Sequence, residues 1–378
     1  MTAKAIDDKR QFDLQKYLSD QIELLVRDAL RVTLKNPKQS LFFTRFAAAV
    51  TKATGRRYEL ERLGEHIPSF LIASITEDCN LKCAGCYAHA NQGCTGSQEL
   101  PAKVWGRIFD EADELGVSAI LLAGGEPMLR RDVVEAAAKR KRILFPVFTN
   151  GTKLDNDALR LFDSHRNLVS IVSIEGDETM TDARRGEGIY KQTADAMRRL
   201  KRRGLVFGAS VTVSSGNLDF VTDNAFIDGL ERSGCKVILF IEYVPVELRH
   251  LALSGEGRAK LTDQVAALRA RQKNMVIISF PGDEAVSGGC LAAGRGFIHI
   301  SASGAAEPCP FSPYSDLNLR DTSLRDALKS QFFTRLRKEG VLTAEHKGGC
   351  VLFEQEETVA RLAGNNPAVV NSNEDRSD

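Results

Sequence analysis

The chain has 378 residues, 43% hydrophobic and 27% charged, with 51 Lys plus Arg against 50 Asp plus Glu and a net charge of +1. That length and apolar content suit one large core with room for an appended module, and the near-neutral balance gives no electrostatic basis for nucleic acid as a partner. Eight cysteines, unevenly grouped and without an N-terminal signal sequence, point to metal ligation in a reducing compartment, hence to a cytoplasmic protein. No apolar run approaches the roughly 18 residues that a membrane span needs.

Residues 1–10 are polar and read as a frayed end. Leu14, Leu18, Ile22, Leu25, Ala29 and Val32 then recur every three or four residues, which predicts an amphipathic helix up to the Asn36-Pro37 break. A second helix follows Ser40, with Leu41, Phe42, Phe43, Phe46 and Val50 apolar and Arg45, Lys52, Arg56 and Arg57 basic. Packing of both helices on the main domain is the ordinary expectation. A basic amphipathic contact with a membrane or partner is the alternative.

From Ser69 short β-rich runs alternate with helical stretches. The runs are Phe70 to Thr76, Val117 to Ala123, Ile143 to Thr149, Leu168 to Ile174, Leu205 to Val213 and Lys236 to Val244. Six such alternations imply a parallel sheet with right-handed crossovers. They are too few for an eight-fold barrel, so the expected α/β fold is an open, partial (β/α)6 TIM-like barrel. Loops after the strands of such folds carry the ligand site. Past a helix near Gly257 to Gln272 the texture becomes loop-rich, with a small hairpin over Phe297 to Ser301 and Ala305 to Pro308 turning at Ser303-Gly304. Short helices around Leu324 to Leu328 and Phe332 to Lys338 lead to Gly348-Gly349-Cys350. The expected organisation is a helical extension over 1–68, a barrel over 69–273, a small C-terminal module over 274–364 and a disordered tail over 365–378.

Chemistry concentrates after the first strand, where Cys79, Cys83 and Cys86 stand at four-then-three spacing. Cys83-Ala84-Gly85-Cys86 alone has the form of a thiol redox pair, but such a pair has no use for Cys79. A structural zinc site takes four protein ligands and would have to recruit Cys94 or His89. A cubane iron–sulfur cluster on three thiolates leaves one iron open. After the second strand comes Gly124-Gly125-Glu126-Pro127, which by itself is also an ordinary turn into a helix starting at Pro127.

Together, these two motifs at these strand positions resemble the radical S-adenosylmethionine (radical SAM) superfamily, over about residues 69 to 245. The resemblance implies a [4Fe-4S] cluster on Cys79, Cys83 and Cys86 whose open iron takes the amino and carboxylate groups of S-adenosylmethionine (SAM). It implies reductive cleavage to a 5′-deoxyadenosyl radical, hydrogen abstraction from a substrate, and a flavodoxin- or ferredoxin-type electron donor. By the same pattern SAM is contacted by Tyr87, Gly124, Gly125, Glu126, Pro127, Asn150, Ser173, Glu175 and Arg185. In this reading the two glycines admit the methionine ammonium and Glu126 complements its charge. Two positions depart from the family: Glu175 stands where Asp is commoner, and Gly85 where an aromatic residue usually precedes the third cysteine. Adenine packing is therefore expected from backbone or from Tyr87.

Cys290, Cys309 and Cys350 resemble the Twitch or SPASM extensions and imply one auxiliary [4Fe-4S] cluster. Since Phe353 takes the place of the usual final cysteine, candidates for its fourth ligand are Cys94, Cys235, His346 and Glu354, or no protein ligand at all, which would leave an iron open to substrate. The position of Cys235 at a strand start reads as core. Glu242 and Tyr243, at the end of the sixth strand, are candidates to line the pocket. The purely helical first 68 residues lower the expectation of a peptide substrate and raise that of a small molecule, cofactor precursor or lipid. Alternatives are a radical SAM maturase of a peptide or protein, and a non-catalytic iron–sulfur or zinc protein on the same scaffold.

Overall fold

The structure is a computed structural model and describes residues 14–90, 98–281, 287–344 and 349–364. The expected frayed start and the tail from 365 lie outside those residues.

Two long helices open the described chain, α1 (Leu14–Thr33) and α2 (Pro37–Arg62). Asn36 caps α2 by accepting from Gln39 N–H, and Pro37 takes the first helical position, where its missing N–H costs nothing. The expected strands follow as β1 (Phe70–Ser74), β2 (Ala119–Ala123), β3 (Phe145–Thr149), β4 (Leu168–Ser173), β5 (Phe207–Val213) and β6 (Val237–Glu242). Between them run α3 (Tyr87–Ala90), α4 (Ala102–Leu115), α5 (Arg131–Ala138), α6 (Asn156–Ser164), α7 (Glu178–Arg185), α8 (Ile189–Arg202), α9 (Leu218–Val221) and α10 (Asn224–Ser233). Strands such as β4, Leu-Val-Ser-Ile-Val-Ser, are buried almost throughout, as strands covered on both faces must be.

The sheet runs on beyond the expected end of the barrel. After α11 (Gly255–Arg271), β7 (Val276–Phe280) pairs parallel with β6. Its apolar run lacks the alternation that identifies a half-buried strand and ends against Pro281, so its sequence resembles a loop entry. The C-terminal hairpin forms as expected, β8 (His299–Ile300) with β9 (Ala306–Glu307), turning through Gly304 at φ +96°. Periodicity could not reveal that β8 also pairs parallel with β1, Ile72 opposite His299 and Ala73 opposite Ile300. The result is one curled nine-stranded half-barrel sheet in the order β7-β6-β5-β4-β3-β2-β1-β8-β9.

The gap between β7 and β8 is bridged by aromatic rings. Phe297 stacks on Phe70 at 5.3 Å and meets Phe280 edge-on at 5.6 Å. Helix α1 lies against β7 and packs on α2 through a small apolar core of Val26, Phe43, Phe46 and Val50. Arg57, expected on a basic surface, is instead fully buried: its guanidinium donates to Gly116 O (2.5 Å), Ser118 Oγ (3.1 Å) and Thr54 Oγ1 (2.9 Å), and burial lowers its pKa to about 10. Among the described residues no helix is long and apolar enough to cross a membrane.

Candidate active site

The loop after β1 turns Cys79, Cys83 and Cys86 toward one another. Burial raises the Cys79 thiol, and the neighbouring charges of Glu126, Cys83 and Cys86 add to this, against a Leu81 N–H that reaches its sulfur at 3.4 Å. Burial also raises Cys83, while Arg185 and Arg184 act in the opposite direction. Half-buried thiols this close together need a positive body between them before they can ionise together, which fits an iron–sulfur core. No group of three His, Cys, Asp or Glu among the described residues is arranged to hold a single ion, whereas cluster ligands are spaced around a larger body. Of the proposed zinc recruits, His89 binds Leu81 O through Nε2 at 2.8 Å, and Cys94 lies outside the described residues.

Gly85 is explained by the structure. Its φ is +62°, and a Cβ built on it would stand 2.5 Å from Tyr243 Oη and 2.9 Å from the Tyr243 ring. Tyr243 follows β6, is buried, and accepts a hydrogen bond from Leu248 N–H at 3.1 Å. The aromatic ring missing before the third cysteine is thus delivered to the same spot from β6.

The Gly124-Gly125-Glu126 turn is pressed onto the start of the cysteine loop. Gly125 N–H donates to Thr76 O and Glu126 N–H to Asp78 O, both at 2.8 Å. A Cβ on Gly124 would meet Thr76 O at 2.3 Å, and one on Gly125 would meet Asp78 O at 2.1 Å. Both glycines are therefore demanded by chain packing on this loop. Pro127 opens a short 3-10 turn capped by Glu126. The buried Glu126 carboxylate accepts from Met128 N–H (3.0 Å), Thr149 Oγ1–H (2.8 Å) and Asn150 N–H (2.8 Å), which uses three of its roughly four lone-pair sites. Asn150 in turn donates to Asn80 Oδ1 at 3.1 Å, tying the third strand's end to the cysteine loop.

Glu175 and two arginines form the opposite wall. Glu175 Oε1 accepts from Arg184 Nη1 (2.6 Å) and from Arg185 Nε and Nη2 (2.8 and 2.5 Å). Glu175 Oε2 is buried with no hydrogen-bond partner, an arrangement that protein interiors avoid unless a ligand completes it. Arg184 O accepts from Ala84 N–H at 2.9 Å, so α7 also holds the loop. Ser173 Oγ is bonded to Ser210 Oγ at 3.1 Å.

Tyr87 does more than its sequence position suggests. Its hydroxyl bonds Ser74 and the Gly124 amide, and burial, then the nearby Cys86 charge, push it well above the usual phenol range. Ser74 Oγ bonds His299 Nε2 at 2.7 Å, and His299 Nδ1 bonds Glu307 Oε2 at 2.6 Å, all three residues buried. This chain joins β1, β8 and β9. Sequence reasoning missed it because its members lie 225 residues apart and carry no motif.

The later cysteines also converge. Cys309 is buried, hydrogen-bonded to Cys350 and raised by burial and by both Cys350 and Cys290. Of the fourth-ligand candidates, Cys235 donates to Val237 O at 3.1 Å and burial pushes it up to about 12, which makes it core as expected. Glu354 is exposed at the end of a short helix, and His346 lies outside the described residues. The buried Glu242 carboxylate instead abuts this loop: a Cβ on Gly349 would stand 2.4 Å from Glu242 Oε1. Tyr87 feels the charges of both Cys86 and Cys309 and so stands between the two groups of thiols.

Comparison with known proteins agrees with this geometry. The chain is 26% identical over 240 residues to an Fe-coproporphyrin III synthase of Methanosarcina barkeri, covering 60% of this chain but only 57% of that protein. It is 24% identical over 321 residues to an AdoMet-dependent heme synthase of the same organism, covering 78% of this chain and 90% of that one. Among solved structures, Streptococcus suis SuiB bound to S-adenosylmethionine has the same fold with a TM-score of 0.61, at 16% identity over 80% of this chain and 73% of its own. Residues 73–228 match the family model of the Radical SAM superfamily. That span runs from the end of β1 into α10 and takes in both the cysteine loop and the glycine turn, so here the chain carries a domain of the radical SAM superfamily.

Proposed function

We propose that Cys79, Cys83 and Cys86 hold the [4Fe-4S] cluster that the radical SAM family binds together with SAM, and that the enzyme acts on a small molecule. When bound, the cluster supplies the electron that cleaves SAM to the 5′-deoxyadenosyl radical, which takes a hydrogen atom from the substrate. The observation that carries this reading is the three-thiol loop clamped between the glycine turn and a buried carboxylate with one unpaired oxygen. Around it the chain's own residues have distinct tasks. Arg185 offsets the charge of the Cys83 and Cys86 thiolates, Glu175 Oε2 accepts from a ligand hydroxyl or amine, and Asn150 and Glu126 keep the glycine turn in place. Cys290, Cys309 and Cys350 hold one auxiliary [4Fe-4S] cluster, and electrons come from a flavodoxin- or ferredoxin-type donor.

The sheet edges favour a small molecule over a peptide. A peptide commonly docks by adding a strand to a free edge. Here α1 packs against one edge strand, β7, and the other, β9, has only two residues and is bridged just before them, at Ala305, by Asn318. The two relatives above are named for tetrapyrrole chemistry, whereas SuiB is also known bound to its precursor peptide SuiA.

Anaerobic reconstitution should load about eight irons per chain, as two four-iron clusters, and dithionite should then drive formation of 5′-deoxyadenosine from SAM. Cys83→Ala should lose that product, and Cys309→Ala should lose about half the iron. A fully loaded wild-type chain that makes no 5′-deoxyadenosine would overturn the proposal.

A further inference from the structure

A cavity of about 540 Å³ lies beneath α1. Leu18 and Ile22 of α1 wall it on one side, Ile278 and Phe280 of β7 on another, and Cys290, Cys309 and Cys350 line it from the C-terminal module. None of the residues that surround the first thiol group contributes to it. That volume, shared with the cluster that the three thiols would hold, is on the scale of pockets that enclose drug-sized ligands, roughly 300–1,000 Å³. The walls are mainly aliphatic and aromatic, and the apolar character continues to the surface, where Leu24 and Leu25 line it while 38% and 39% exposed.

We infer that this chamber receives the hydrophobic body of the substrate, with α1 as the wall that selects it. The inference rests on the small-molecule reading above and names the chemistry of that molecule. A peptide backbone would bring N–H and C=O groups that need partners. Strand β7 runs along the chamber from Val276 to Phe280, but Arg269 already takes Ile277 O and the side chains facing the chamber are mainly apolar. Among the polar residues at the cavity, Arg31 already pairs with Asp28 at 3.2 Å and Arg269 donates to Ile277 O at 3.0 Å. The fitting ligand is an apolar molecule of drug size. An acyl or isoprenoid chain and the macrocycle of a planar tetrapyrrole share that chemistry, so both are used as probes, their carboxylates left to the exposed rim at Leu24 and Leu25.

The test is equilibrium binding of a fluorescent fatty acid and of coproporphyrin III to the iron-loaded chain, without reductant or SAM. The expected result is saturable 1:1 binding of at least one probe: the fatty acid identifies a chain-like substrate, the porphyrin a planar one. Ile22→Trp, which fills the chamber from α1, should weaken binding at least tenfold. Leu25→Asp, at an exposed position where folding is not in question, should weaken it several-fold. Leu41→Asp, on the exposed face of α2, should leave it unchanged. Absence of saturable binding for both probes, or binding that neither chamber variant weakens, would overturn the inference. Because SAM cleavage plays no part in this readout, probe binding by a chain that forms no 5′-deoxyadenosine would sink the catalytic reading alone.

Discussion

Gly85 and Tyr243 form one unit although 158 positions separate them. The departure at Gly85 was legible in the sequence, but its compensation was not, because nothing in a linear chain indicates which ring will reach the vacant spot. The prediction is a coupled pair of mutations. Gly85→Ala should cost about 3 kcal/mol, part from left-handed backbone in a non-glycine residue and part from collision with Tyr243. In a Tyr243→Ala background only the backbone part of about 1–2 kcal/mol should remain. Urea midpoints of the four proteins measure this, and strictly additive costs would show that the two residues are independent. The three cysteines of the loop after β1 were readable for the opposite reason: their spacing is local. The Ser74–His299–Glu307 chain lacks any local signal, since each member is an ordinary strand residue until the hairpin folds onto β1.

At the level of elements, strands buried on both faces announced themselves as apolar runs, and six of the seven consecutive parallel strands were read from them within a few residues. β7 escaped because Met275-Val276-Ile277-Ile278-Ser279-Phe280 is short and ends in a proline, a pattern that loop entries share. The second helix was expected to present a basic face, yet Arg57 points inward, since Thr54, Gly116 and Ser118 surround it with acceptors that a hydropathy pattern cannot foresee. Arg57→Ala should therefore destabilise the fold by about 2–4 kcal/mol, by leaving the Gly116 carbonyl without its donor and opening a void. Thermal unfolding would register this as a fall in Tm. An unchanged Tm would mean that α2 is held to the barrel by its apolar contacts alone.

For the molecule as a whole, the two sets of thiols make assembly depend on pH. Cys79, Cys83 and Cys309 are all raised above the ordinary thiol range, chiefly by burial. They therefore hold their protons at neutral pH until metal displaces them. Higher pH lowers the cost of that displacement, so iron loading at limiting iron should rise between about pH 6.5 and pH 8.5 and should release protons into a weakly buffered solution. Loading that is flat across this range would show that the thiols are ionised beforehand.

The pairing of β8 with β1 also has a mechanical meaning. The strand leading to Cys79 and the hairpin leading to Cys309 share a hydrogen-bonded register, and His299 is bonded to Ser74 across it. The spacing between the two thiol groups is therefore built into the sheet, like two marks on one ruler, and does not depend on how a separate module docks. Any opening that admits a substrate must spare this seam, since parting it would break the ladder and the buried Ser74–His299 bond together. Helix α1 meets β7 and α2 through side chains and shares no ladder with the sheet, so the distance between the two cysteine groups does not depend on where it lies.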